Sequence, residues 1–172
     1  MHREEIQYVR DTGVYWAVVA FMAALAGLFV YALVVQLGLG RPFGDEPMSD
    51  AGLVAISLAT FAFCFGMVAF FRASYLRVAA DEEGLTVEFS PITGRRRLAW
   101  KDLRGWRVDR FHPLWDFGGV GIHYTRKGTA YRAGGRDGLW LDLGKRKRFL
   151  VGVRDPEAWR ALLRERGLPE AA

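Results

Sequence analysis

Two stretches of this chain, residues 14–35 and 51–71, each run for about twenty residues without Asp, Glu, Lys, Arg or His. A helix rising roughly 1.5 Å per residue crosses a bilayer core in that length. Little else in the 172 residues could bury two such helices in a soluble protein, so the sequence reads as an integral membrane protein. A signal peptide is the competing reading of the first stretch, because Arg3 and Arg10 precede it and Ala24-Leu25-Ala26 looks like a cleavage site. The apolar run continues through Leu28, Phe29, Val30, Leu33 and Val34, too long for a signal-peptide core and long enough to anchor. Tyr15, Trp16 and Tyr31 suit the membrane interface, where a ring sits among headgroups with its polar tip towards water.

The linker between the stretches carries Gly38, Gly40, Pro42, Gly44 and Pro47 and reads as a turn between antiparallel helices. Its one basic residue is Arg41, whereas Arg3, Arg10, Arg72 and Arg77 flank the outer ends of the hairpin. The positive-inside rule therefore places both termini in the cytoplasm of a multi-pass inner (plasma) membrane protein. Small residues recur four apart in Ala20 with Ala24, Ala23 with Gly27, and Ala51, Ala55 and Ala59, rows that let helices approach closely within the hairpin or between chains. Cys64 is the sole cysteine and is expected to pack as a small hydrophobe. The absence of other ionisable groups from both stretches argues against a proton or ion pathway built from the hairpin alone.

Charge divides the chain. Residues 72–172 hold twenty-one Lys and Arg against thirteen Asp and Glu, and residues 1–71 hold three against six. A basic domain beside a membrane is drawn to anionic headgroups or to an acidic partner, although cytoplasmic segments of membrane proteins are rich in Lys and Arg in any case. The division gives residues 1–72 as an N-terminal tail with two transmembrane helices, and 73–172 as one soluble domain.

In that domain the apolar period changes to two, and strands are expected over 74–79, 85–89, 95–100, 105–111, 120–124, 129–133, 138–143 and 148–153. Turns are expected at 81–84, 91–94 and Gly144-Lys145. A closing helix is punctuated by Asp155 as N-cap, Pro156 at its first position, and Gly167 and Pro169 beyond its end. Ala158, Trp159, Leu162 and Leu163 form its apolar face, with Trp159 expected to plug an open end of the sheet.

About seven antiparallel strands and a C-terminal helix is the order of a pleckstrin-homology-like (PH-like) β-barrel, giving an α+β domain behind a membrane α-hairpin. The segments Leu98-Ala-Trp-Lys-Asp-Leu-Arg-Gly-Trp-Arg-Val108, Gly118-Gly-Val-Gly-Ile122 and Gly138-Leu-Trp-Leu-Asp-Leu-Gly-Lys-Arg-Lys-Arg-Phe-Leu-Val151, followed by Asp155-Pro-Glu-Ala-Trp159, resemble bacterial PH-like proteins that carry one or two membrane helices. The resemblance spans residues 75–165 and implies a fold and a membrane setting. Its motifs are strand patterns, so it assigns no functional residue.

Candidate binding residues are Arg95, Arg96 and Arg97, the hairpin residues Lys145, Arg146 and Lys147, and Trp115 in a loop with Pro113 and glycines. The triplet beside the Pro91 turn is the nearest analogue of a phosphate cradle, but consecutive strand residues point to opposite faces, and a solvated strand end near anionic lipid accounts for it better. Arg126-Lys127 is a smaller basic pair. Asp116-Phe117-Gly118 matches a kinase tripeptide without the rest of a kinase, and the glycines of 118–121 precede a strand where a phosphate loop would precede a helix. His112 and His123 lack partners at metal-ligand spacing, and no nucleophile elbow occurs, so neither metal nor cofactor is expected. His123 with Asp116 or Asp142 is the one acid–base pair to consider. Trp100, Trp106 and Trp140 are expected in the core, and without an RNP-type motif nucleic acid is not an expected partner. The leading expectation is a binding or scaffolding module for membrane lipids, anionic lipid especially, or for another membrane protein, with a homo-oligomer among the candidate assemblies. A membrane-proximal enzyme and an accessory subunit of a transport complex are the alternatives.

Overall fold

The computed structural model describes residues 2–110, 120–125, 128–144 and 148–171. It contains two compact units, Gly13–Arg72 and the combination of Met1–Thr12 with Ala73–Ala172.

The first unit is helical. Helix α1 (Gly13–Leu33) continues through a π-helical turn at Val34–Gly38, and α2 (Asp50–Ala73) follows the linker. The spans Gly13–Gly38, of 26 residues, and Asp50–Ala73, of 24, are long and apolar enough to cross a membrane. Only 11% and 17% of their apolar windows are buried, which sets them apart from core helices of a globular unit. The covered positions include Tyr15, Val18, Met22, Leu25, Phe29 and Ala32 on α1 and Leu53, Ser57, Thr60 and Cys64 on α2, a subset with the alternating three- and four-residue spacing of left-handed helix pairs. Ala20, Ala23, Ala24, Gly27, Ala51, Ala55 and Ala59 are all exposed, so the small-residue rows do not form the buried seam of the hairpin. At the turn end, Gln36 Nε2 donates to the Met48 carbonyl and to Asp50 Oδ1, both at 2.8 Å. Cys64 is buried, as its apolar setting requires.

The second unit has nine strands among the described residues. β1 (Arg3–Tyr8), β2 (Tyr75–Ala80), β3 (Gly84–Ser90) and β4 (Arg96–Ala99) form one antiparallel sheet in that order. β5 (Gly105–Arg110), β6 (Gly121–Thr125), β7 (Gly128–Arg132), β8 (Asp137–Asp142) and β9 (Arg148–Val153) form a second, ordered β5-β8-β9-β7-β6. Leu76, Val78, Leu85, Val87 and Phe89 on the first sheet, and Trp106, Leu139, Leu141 and Val151 on the second, are almost fully buried. Helix α3 (Pro156–Glu165) adds Trp159, Leu162 and Leu163, and its N-cap is made as expected, the Ala158 N–H donating to Asp155 Oδ1 at 3.1 Å. Trp159 is completely buried.

The strand missing from the sequence reading is β1. Residues 3–8, read as part of an N-terminal tail, pair with β2 along their whole length, from Arg3 opposite Ala80 to Tyr8 opposite Tyr75. Alternation explains why they were not read as a strand. Arg3, Glu5 and Gln7 stand opposite the buried Ala80, Val78 and Leu76, so the inward face of this strand is polar. Partners for each of these side chains come from the far end of the chain, although Arg3 Nε is left without one. Glu5 Oε2 accepts from the Trp159 indole at 2.8 Å, Glu5 Oε1 accepts from the Arg154 N–H at 2.6 Å, and Gln7 Nε2 donates to the Gly152 carbonyl at 2.9 Å. Arg3 pairs with Asp155 at 3.0 Å and lies over the Trp159 ring.

The sheets correct the expectation of a single antiparallel barrel of about seven strands. β7 and β9 pair in parallel, and the described strands form two separate sheets. A 3-10 turn at Trp100–Asp102 redirects the chain between β4 and β5. The free edge of β5 is covered by the C-terminal segment, where Trp106 N–H donates to the Pro169 carbonyl and Ala171 N–H donates to the Trp106 carbonyl. Edges ended in this way do not close a barrel.

β1 and β2 are antiparallel neighbours, and the helical unit is inserted in the chain where a hairpin loop would join them. A chain in which residues 13–72 are replaced by a short turn is expected to fold as a soluble, cooperative unit, whereas a fragment starting at Tyr75 is expected to lose sharp thermal unfolding and amide dispersion. Glu5→Ala strands the buried indole N–H and is expected to destabilise that soluble unit by about 1–3 kcal/mol in denaturant titration.

Candidate functional site

Arg96 and Arg97 open β4, with Arg95 just before it, and strand alternation sets Arg96 on the face opposite Arg97. Arg95 Nε lies 2.9 Å from Glu88 Oε2, whose carboxylate also accepts from the Tyr75 hydroxyl at 3.4 Å. Arg97 is held by both oxygens of Asp81, at 2.9 and 2.8 Å, and by Glu83 at 2.9 Å. Arg96 stands opposite Val87, and its guanidinium lies 4.3 Å from the centre of the Phe149 ring. A phosphate cradle needs donors that converge on one point. These three diverge, and each has a protein partner.

Asp81 organises the other end of the same strands. Its Oδ1 accepts from the N–H groups of Glu83 and Gly84, both at 2.9 Å, forming an Asx turn that reverses the chain between β2 and β3. These backbone donors first, and the Arg97 guanidinium second, hold its carboxyl below the ordinary aspartate value of 3.8. Gly84 completes the turn, since a Cβ there would run into the Leu98 carbonyl.

Trp106 is buried in the core, its indole donating to the Leu168 carbonyl at 3.0 Å. Trp100 and Trp140 are half-buried, with Arg166 over the first and Arg107 over the second. Trp115, Lys145, Arg146 and Lys147 lie outside the described residues, as do Arg126, Lys127, His112 and the Asp116-Phe117-Gly118 tripeptide. His123 stands on β6 opposite Ala130, while Asp142 ends β8, and β7 and β9 intervene. Three strand spacings separate them by about 14 Å, so that acid–base pair does not form. Among the described residues no group of three or more His, Cys, Asp or Glu could hold a metal ion.

A cavity of about 240 Å³ opens within the helical unit, lined chiefly by Leu28, Phe29, Ala32, Phe43, Leu53 and Ile56, with Glu46 among its few polar neighbours. It contains no nucleophile and no paired acid and base. No known protein family, curated protein or solved structure matches this chain. The residues that sequence reasoning missed are therefore identified by geometry alone: Arg3, Glu5 and Gln7, whose signal was an alternation with the polar residues inward.

Asp81 supplies a test of the turn. Because its folded pKa is depressed, its contribution to stability is complete above 3.8 and is lost as pH falls through the lower, folded value. A carbon-detected titration of the soluble unit is expected to place the Asp81 midpoint below 3.8, and Asp81→Asn is expected to lower stability at neutral pH while reducing its acid dependence.

Proposed function

We propose that this chain is an inner-membrane protein of bacterial type, anchored by α1 and α2, whose soluble unit is a PH-like binding module for anionic lipid or a membrane partner. The observation that carries the reading is the β1–β2 ladder. β1 precedes α1 and β2 follows α2, so strands that pair with one another must lie on one side of any membrane the helices cross. Two crossings with both termini on the same side satisfy this. The exposed apolar surface of the helices supports the crossing itself, with Phe21 64%, Leu58 63% and Phe65 78% exposed. Trp16 and Tyr31 add exposed aromatic rings towards the two ends of α1. Arg3, Arg10, Arg72 and Arg77 favour the cytoplasm for that side, against Asp45, Glu46 and Asp50 in and beside the linker.

The PH-like component rests on two sheets joined by a C-terminal helix, with the parallel β7–β9 pair and the added β1 as departures from it. Basic residues held beside a membrane gain about 1 kcal/mol each from an anionic surface, and the engaged state of Arg95 to Arg97 favours such a diffuse attraction over a single headgroup pocket.

Topology mapping tests the carrying observation. In a Cys64→Ala background, reporters fused to the two termini are expected to read the same compartment, and Glu46→Cys is expected to react with an impermeant thiol reagent from the opposite side. Termini on opposite sides are incompatible with the ladder and would end this reading.

A further inference from the structure

We infer that the β3–β4 turn is a bilayer-contact edge: Ile92 enters the lipid interface, Tyr8 and Tyr75 lie at headgroup level, and Arg10 and Arg95 meet lipid phosphates. The inference rests on reading α1 and α2 as membrane crossings, and it names the surface through which the soluble unit engages lipid.

Its first support is register. Tyr8 stands opposite Tyr75, and Tyr75 stands opposite Ser90, so the end of β3 is aligned with the ends of β1 and β2 that connect to the helices. Tyr75 is two residues beyond the last residue of α2, and Tyr8 is five before the first residue of α1. With neighbouring strands about 4.8 Å apart, the turn at residues 91–94 begins about 10 Å from the β1 junction and about 5 Å from the β2 junction. If the helices cross a bilayer, the strand ends at Tyr8 and Tyr75 are tethered to it by a few residues.

The second support is composition. Among the described residues outside the helical unit, the exposed large hydrophobics are Ile6, Ile92 and Tyr124. Ile92 is 51% exposed at the tip of a turn closed by the Thr93 N–H donating to the Phe89 carbonyl at 2.7 Å. An isoleucine held outward by an ordered turn is costly in water and suited to the headgroup–acyl boundary. Tyr8 and Tyr75 pack edge to face, 6.1 Å between ring centres, and the Arg10 guanidinium lies 4.3 Å from the Tyr8 ring centre. Aromatic rings with cations beside them suit the interface, where the ring sits among headgroups and the charge faces phosphate. Arg95 remains 68% exposed despite its link to Glu88.

The third support is polarity along the sheet. The opposite turn, at residues 81–84, carries Asp81, Glu82 and Glu83. Arg10 and Arg95 balance Asp11 and Glu88 at one end, whereas Arg97 offsets only one of the three carboxylates at the other, so an anionic surface repels the carboxylate end, and charge and register orient the sheet the same way.

Depth-dependent fluorescence quenching of the full chain tests this. Single cysteines at Ile92→Cys, Glu82→Cys and Phe65→Cys, in a Cys64→Ala background, are labelled with an environment-sensitive fluorophore. A Cys64→Ser background replaces it if the alanine variant fails to fold. The protein is reconstituted in vesicles of phosphatidylcholine and phosphatidylglycerol carrying nitroxide-labelled lipid. The label at 92 is expected to shift to the blue and to be quenched by nitroxides near the lipid carbonyls, the label at 65 by nitroxides deep in the chains, and the label at 82 by neither. Quenching at 65 without quenching at 92 overturns this inference and leaves the membrane reading standing. Absence of quenching at both overturns the two together. A blue shift at 92 without lipid quenching means that protein, and not lipid, covers the turn, which also overturns the inference.

Discussion

The pairing of β1 with β2 is the contact on which the rest of the architecture depends, because it joins two pieces of chain that lie on either side of sixty residues of apolar helix and linker. A strand added at a sheet edge gains a ladder of backbone hydrogen bonds but must also satisfy whatever it turns inward. β1 turns inward a cation, a carboxylate and an amide, and the hydrogen-bonding groups of β9 and α3 meet them. Glu5 alone accepts from the Trp159 indole and from a backbone N–H at the β9–α3 junction. The N-terminal strand is thus held by the last helix as well as by its neighbour in the sheet.

The same economy governs the positive charge. The sequence suggests a surface crowded with unneutralised arginines, but many of them are committed within the soluble unit: Arg97 to Asp81 and Glu83, Arg164 to Glu170, Arg110 to Asp137, and others over aromatic rings. Exposed pairs of this kind add little to stability. Their effect is to reduce the charge available to a distant partner and to leave recognition to local arrangement, above all to what stands at the two ends of the first sheet.

Much of this was legible in the sequence. The helices were visible because a bilayer-length run without charge has few other uses, and α3 because Asp155, Pro156 and Gly167 mark its limits. The strands from Tyr75 onward were visible because inward positions such as Leu85, Val87 and Phe89 alternate with polar ones. β1 was hidden by the reverse alternation and by its place before a helix. The division into two sheets was hidden because strand order depends on contacts between distant segments: the parallel β7–β9 pair and the C-terminal segment along β5 leave no local signal. Among the candidate residues, the separation of Arg96 from Arg97 followed from the two-residue period of a strand, whereas the partners Glu88, Asp81 and Phe149 that draw the three apart did not.

The polar inward face of β1 also has a bearing on biogenesis. Arg3 to Tyr8 are synthesised well before Tyr75 to Ala80, and the two apolar helices must be inserted or shielded in the interval. A strand with a greasy face would be a hazard during that wait, ready to pair with a nascent neighbour or to stick to a chaperone. Charged and amide side chains suit a strand that must stay soluble on its own, and the groups that meet them, from Gly152 to Trp159, follow β2 in the chain.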